Sequence, residues 1–168
     1  FLTATRFDFF NLPPEVLKGL AEGGFECCTP IQAEALPMLL RGRDVAGQAH
    51  TGTGKTAAFL VTVISRLLSR PDRKTGLPQA IIMAPTRELS RQIFEEAVVL
   101  SRYTDISLLE VVGGIDYREQ AEGLQKGTDI VIGTHPHILK GIEVHKGKVI
   151  LYSLGNIPQN AVPGRVAI

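Results

Sequence analysis

Residues 49–56, Ala49-His50-Thr51-Gly52-Thr53-Gly54-Lys55-Thr56, have the composition of an anion cradle. Gly52 and Gly54 let the backbone curl so that successive N–H groups point into one concavity. A helix beginning at this point adds unpaired N–H groups and the positive end of its dipole. Lys55 supplies a full charge for outer phosphates, and the Thr56 hydroxyl can ligate Mg²⁺. The run matches the phosphate-loop pattern except that Ala49 stands where the first glycine belongs. The chemistry implied is capture of the phosphates of ATP or ADP together with Mg²⁺. The competing reading is an ordinary Gly-rich strand–helix turn, in which His50 is a tolerated loop side chain.

A second candidate is Thr134-His135-Pro136-His137. Two histidines at i, i+2 bind a transition metal weakly, whereas a catalytic metal needs three or more protein ligands. Adventitious nickel or zinc binding is the expectation for His135 and His137. Thr29-Pro30-Ile31-Gln32 has the spacing of a capping box, which spends the Gln32 side chain on the backbone. Cys27 and Cys28 are adjacent, so together they form no framework of long-range bridges, and they fit a reducing cytoplasm.

The elements that must hold the loop follow from periodicity. Helices are expected from Pro14 and from Thr29, the latter with Pro30 at its first position. Asp44–Gln48 reads as a short buried strand leading into the loop, and Thr56–Leu68 as the apolar helix leaving it. Ala80–Ala84, Ser107–Val112 and Asp129–Gly133 read as further strands, alternating with helices Arg87–Arg102 and Tyr117–Gln125. This alternation predicts an α/β fold: a three-layer α/β/α domain with a mainly parallel sheet and ligands at the strand ends. Ile142–His145 and Lys148–Leu151, flanking Lys146-Gly147, predict a β-hairpin that departs from the alternation.

Composition bounds the partners. The chain has 168 residues, 44% hydrophobic and 21% charged, with a net charge of +1. It is not an electrostatic magnet for nucleic acid as a whole, so any RNA contact must be local. No apolar run approaches the roughly 20 residues that cross a bilayer. The opening FLTATRFDFF lacks the pattern of a secretory leader. The expectation is a cytoplasmic protein with no membrane partner.

Phe7, Thr29-Pro30-Ile31-Gln32, the phosphate loop, Pro85-Thr86-Arg87-Glu88-Leu89 and Gly113-Gly114 occur in an order that resembles the first RecA-like domain of bacterial DEAD-box RNA helicases. The likeness covers Phe7 to about Ile132. It implies that Phe7 stacks on adenine and that Gln32 hydrogen-bonds the adenine edge, with a core ring and the capping box as the competing roles. It implies phosphate contacts from Thr51, Gly52, Thr53, Gly54, Lys55 and Thr56. Pro85, Thr86, Arg87, Gly113 and Gly114 would hold the RNA backbone, a contact that carries no sequence information. With the net charge near zero, weak RNA binding or none is expected.

Past Ile132 the pattern breaks. Tyr152-Ser153-Leu154-Gly155 follows the apolar run Val149–Leu151 where the family carries its acidic box. No aspartate follows Asp129, and no acidic residue follows Glu143. Phosphoryl transfer needs a carboxylate to hold Mg²⁺ and a group to orient water. Nucleotide binding with little hydrolysis and no unwinding is therefore expected, since the second RecA-like domain is also missing. Residual ATPase and RNA affinity is the alternative. Gly133–Leu139 and Lys148–Asn156 are similar to a late segment of capsule and poly-γ-glutamate synthesis proteins of metallophosphatase-like fold. That likeness implies a chimera: a single domain with a helicase-like part over 1–132 and a foreign segment over 133–168. The segment's apolar strand would complete the sheet. A metal phosphoesterase at His135 and His137, and a chain that folds without specific function, are the remaining alternatives. An incomplete sheet also leaves edges that a second copy could cover, giving a homo-oligomer.

Overall fold

The computed structural model describes residues 2–73, 77–113, 116–134, 142–145 and 148–151. Prolines at the first helical position open α1 (Pro14–Glu22) and α2 (Pro30–Leu40), where a missing N–H costs nothing. A 3₁₀ turn, Phe7–Phe10, precedes them. The C-terminus of α2 closes on Gly42, whose φ of 78° suits a left-handed cap. There Gly42 N donates to Leu39 O and Arg43 N donates to Met38 O. The remaining elements are α3 (Lys55–Leu68), β1 (Ala80–Ala84), α4 (Arg87–Ser101), β2 (Leu108–Val111), α5 (Tyr117–Lys126), β3 (Ile130–Thr134), β4 (Ile142–His145) and β5 (Lys148–Leu151).

Strands β1, β3 and β2 form a parallel sheet in that order, with Ala80 and Leu108 both opposite Ile130. Alternation along the strands sorts their side chains between two faces. Ala84, Ile130, Ile132 and Leu108 join the core with α4, which packs on all three strands. The opposite face carries Ile81, Val131 and Leu109 in one row. Helix α5 covers the Leu109 end, where a Cβ on Gly123 would come within 2.7 Å of Leu109 Cδ1. Ile81 and Met83 at the other end are 72% and 74% exposed. The expected α/β layering with a parallel sheet is present.

Two connections fix the helices against each other. Gly19 of α1 lies so close to α4 that a Cβ there would sit 2.5 Å from Leu100 O. At the far end Glu22 accepts from Tyr103 Oη at 2.7 Å and pairs with Arg102. The starts of β2 and β3 are tied together by Asp129, which is buried. Its Oδ2 accepts from Ser107 N at 2.9 Å and Ser107 Oγ at 3.0 Å. Burial and the neighbouring Cys27 push the Cys28 thiol up to about 11. With that value only about one thiol in a thousand is ionised near pH 8, and the thiolate is the nucleophile. Iodoacetamide is therefore expected to leave Cys28 unmodified in the folded protein and to label it after denaturation. Peptide mass spectrometry reads the difference, and rapid native labelling of Cys28 would contradict it.

Two expectations fail. Asp44–Gln48 is irregular chain, not a strand. A strand exists only through a ladder, and β1 has no hydrogen-bonded neighbour on its outer edge among the described residues. The segment's residues alternate between exposed and half-buried instead of being buried. The second failure concerns Val149–Leu151, which was expected to fill a slot in the main sheet. In β5 these residues pair antiparallel with β4 in a separate two-stranded sheet, Ile142 opposite Leu151 and Val144 opposite Val149. A ladder separated by two residues closes at far lower entropic cost than one reaching back across the domain.

Candidate functional site

The loop between Ala49 and Thr56 is built by backbone geometry first. Gly52 and Gly54 have φ of 79° and 85°, in the left-handed region that glycine enters without strain. Gly54 is the N-cap of α3 and gives it no side-chain cap. The first amides of α3 are therefore left for an anion, at the positive end of a 14-residue helix. Thr53 Oγ1 donates to His50 O at 2.8 Å, tightening the turn. Lys55 Nζ donates to Ala49 O and, at 2.7 Å, to His50 O. The ammonium is thus held inside the loop by two carbonyls, where phosphate oxygens can replace them. Thr51 and Gly52 are exposed, and Thr56 is half-buried in the first turn of α3. Uncapped amides, an inward lysine and a hydroxyl in the first turn fit a Mg²⁺–nucleotide phosphate chain.

Gln32 resolves a choice the sequence left open. It is 1% exposed, and both halves of its amide are used. Its Oε1 accepts from Thr29 N at 2.8 Å, while Thr29 Oγ1 accepts from Gln32 N at 3.4 Å, so the capping box is present. Its Nε2 donates to Gly54 O at 2.9 Å. One side chain therefore caps α2 and ties that cap to the phosphate loop, 22 residues away. The amide keeps one N–H and one lone pair uncommitted. Sequence reasoning missed the link to Gly54, which no local pattern announces.

Phe7 packs into the core. It is 2% exposed and meets Phe25 edge-to-face, with ring centroids 6.3 Å apart.

The residues assigned to RNA converge in part. Thr86 caps α4, its Oγ1 accepting from Leu89 N at 3.2 Å. Pro85, Thr86 and Arg87 are all exposed at the end of β1. The Arg87 guanidinium lies against Gly113 after β2: a Cβ on Gly113 would be 3.2 Å from Arg87 Nη2. Gly114 lies outside the described residues, as do His135, His137, Tyr152 and Ser153. Beside this group Arg91 bonds Glu95 at 3.0 Å and Glu110 at 3.2 Å, and those carboxylates raise its pKa. Arg91 is therefore committed to protein partners, whereas Arg87 forms no ion pair among the described residues. No helix is long and apolar enough to cross a membrane among the described residues.

Comparison with known proteins places this geometry. The family model for DEAD/DEAH box helicases matches residues 29–156, running past Gly133 into the tail. The chain is 49% identical over 148 residues to the ATP-dependent RNA helicase RhlB of Xanthomonas oryzae pv. oryzae, covering 86% of this chain and 26% of that protein. It is 51% identical over 138 residues to RhlB of Pseudoalteromonas atlantica, covering 82% of this chain and 33% of the relative. The fold is similar to that of S. cerevisiae Dbp5 bound to RNA and ADP BeF3, with a TM-score of 0.67 and 36% identity over 79% of this chain and 32% of that one. The chain thus spans about a quarter to a third of the length of these relatives. With an α/β core, an uncapped phosphate loop and a family match over most of its length, the chain belongs to the DEAD/DEAH box helicases.

Proposed function

We propose that the chain binds an adenine nucleotide with Mg²⁺ through Thr51–Thr56 and releases little or no phosphate from it. The observation that carries this reading is the start of α3, where uncapped amides surround an ammonium held only by loop carbonyls. Phosphate oxygens accept from the same donors and bring the charge those carbonyls lack. Thr56 would hold Mg²⁺, which neutralises the phosphate oxygens. Gln32 has the remaining donor and acceptor to read the adenine edge, which gives ATP and ADP preference over GTP. The relatives are named ATP-dependent RNA helicases, which agrees with this choice of nucleotide.

The absence of hydrolysis rests on sequence: no acidic residue follows Glu143, so the run after Val149–Leu151, where the family carries its acidic box, brings no carboxylate to the metal. Thr86, Arg87 and Gly113 form a small phosphate-contacting group suited to a weak, sequence-independent grip on RNA. The reading of 133–168 as a foreign segment rests on Gly133–Leu139 and Lys148–Asn156; the family match through residue 156 weighs against it. A cytoplasmic setting fits two free cysteines, and the bare Ile81–Met83 face suits self-association.

Calorimetric titration with ADP, ATP and GTP in the presence of Mg²⁺ tests the proposal. Binding of the adenine nucleotides only is expected, weakened about 10- to 100-fold by Lys55→Ala, the range for losing one charge-assisted contact. Phosphate release should stay at background in the same samples. Failure of a folded sample to bind any adenine nucleotide at millimolar concentration would sink the reading, and robust turnover abolished by Lys55→Ala would sink its hydrolysis clause.

A further inference from the structure

At the far end of α3 a cleft of about 390 Å³ lies between the Phe10–Pro13 segment, the end of α2 and the last turn of α3. That volume falls in the range of small-molecule sites. Helix α3 rises about 1.5 Å per residue. Its 14 residues therefore put the cleft about 20 Å from the phosphate loop. The lining combines apolar Phe10, Leu12 and Leu40 with Arg66 and Arg70, and no acidic residue takes part. Arg66 lies in the last turn of α3 and Arg70 just past its C-cap Ser69, and both line the cleft. Arg41 and Arg43 flank Gly42, and the left-handed Gly42 brings that turn against Arg66: a Cβ there would be 3.5 Å from Arg66 Nη2. All four arginines are exposed, and none forms an ion pair or a side-chain hydrogen bond among the described residues. The other arginines with described partners, at positions 6, 73, 91 and 102, each pair with a carboxylate. Ser65, also in the lining, carries a buried hydroxyl with no hydrogen-bond partner.

Two guanidinium groups in the cleft wall, with two more flanking the neighbouring Gly42 turn, hold a local positive potential in a chain whose net charge is only +1. Guanidinium groups grip phosphate with paired N–H donors, and the apolar wall behind them excludes water from one side of a bound molecule. We propose that this cleft is a second ligand site, separate from the phosphate loop, for a small organic phosphate with an apolar or aromatic body. The phosphate sits between Arg66 and Arg70, and the body lies against Phe10, Leu12 and Leu40. The site would let a phosphorylated metabolite engage the same helix whose other end receives the nucleotide.

Phenyl phosphate and inorganic phosphate serve as probes, titrated calorimetrically at low salt into the Lys55→Ala chain so that the phosphate loop is silenced. Phenyl phosphate is expected to bind one equivalent, and more tightly than inorganic phosphate. The double substitution Arg66→Gln, Arg70→Gln should weaken it at least about tenfold, the loss expected for charge-assisted hydrogen bonds. Arg66→Lys with Arg70→Lys should restore part of the affinity, since charge returns without the paired donors. Both positions are exposed, so circular dichroism should show unchanged folding. Equal binding by the glutamine variant, no binding of phenyl phosphate, or binding of single-stranded RNA alone would each overturn the proposal. A wild-type chain whose extra phosphate equivalent vanishes with Lys55→Ala reports on the loop independently.

Discussion

Gly133→Ala is expected to cost the fold at least about 3 kcal/mol, the scale of severe overpacking in a core. Gly133 lies in β3, the central strand, opposite Met83 of β1 and Val111 of β2. A Cβ there would sit 2.2 Å from Val111 O and 3.2 Å from Val111 C. Those are backbone atoms, so no side-chain rotation relieves the contact. The strand cannot step aside either, because ladders hold it on both edges. Relief requires β2 and β3 to part, which breaks hydrogen bonds buried between α4 and α5. Domains of this size keep roughly 5–15 kcal/mol of stability in total. A shift in melting temperature of roughly 6–12 °C follows, at about 2–4 °C per kcal/mol for a chain of this length. Gly24→Ala is the control: φ is 76° there, but nothing lies within 4 Å of the added Cβ. It should lose only about 1–2 kcal/mol of left-handed strain. Thermal melts of both variants decide the matter, and equal losses would remove the steric argument.

What the sequence reveals is what local patterns determine. Apolar spacing located three helices and the three strands of the main sheet to within a residue or two, and Pro14 and Thr29-Pro30 marked the starts of two more helices, because each face is written in its own segment. The phosphate loop was legible for the same reason, as Gly52, Gly54 and Lys55 specify their own turn. Asp44–Gln48 was misread because strand identity belongs to the pair: the residues suit a strand, but no ladder reaches them. Phe7 reads alike as a core ring or a stacking ring, and its packing against Phe25 is a tertiary contact that its own segment does not announce. Gln32 was posed as a choice between cap and ligand contact, yet an amide has two ends, and tertiary folding gives one to each element. The arginine cleft was invisible because Phe10, Leu12 and Leu40 meet Arg66 and Arg70 only in the folded chain.

The Gln32–Gly54 connection makes the second large prediction, that Gly54→Ala lowers adenine-nucleotide affinity more than about 100-fold, beyond the Lys55→Ala effect. Two causes act on one residue. With φ at 85°, an alanine is strained there by about 1–2 kcal/mol. Its Cβ would also lie 2.4 Å from Gln32 Nε2 and 3.3 Å from Thr29 Oγ1. Gln32 is almost fully buried and its Oε1 is held by Thr29 N, so its amide cannot swing clear without leaving a buried group unpaired. That outcome costs a further 1–3 kcal/mol or so. Since Gly54 precedes the amides proposed to receive the phosphates, either response would turn those donors away from the anion. A double-mutant cycle with Gln32→Ala separates the causes. Removing the Gln32 amide takes away the collision but not the backbone strain, so Gly54→Ala should cost about 1–2 kcal/mol less on the Gln32→Ala background than on the wild type. Urea unfolding of the four chains gives the coupling energy, and calorimetry with ADP and Mg²⁺ gives its counterpart in binding. Strict additivity in both would show that the two residues act separately, and that the cap of α2 does not set the phosphate loop.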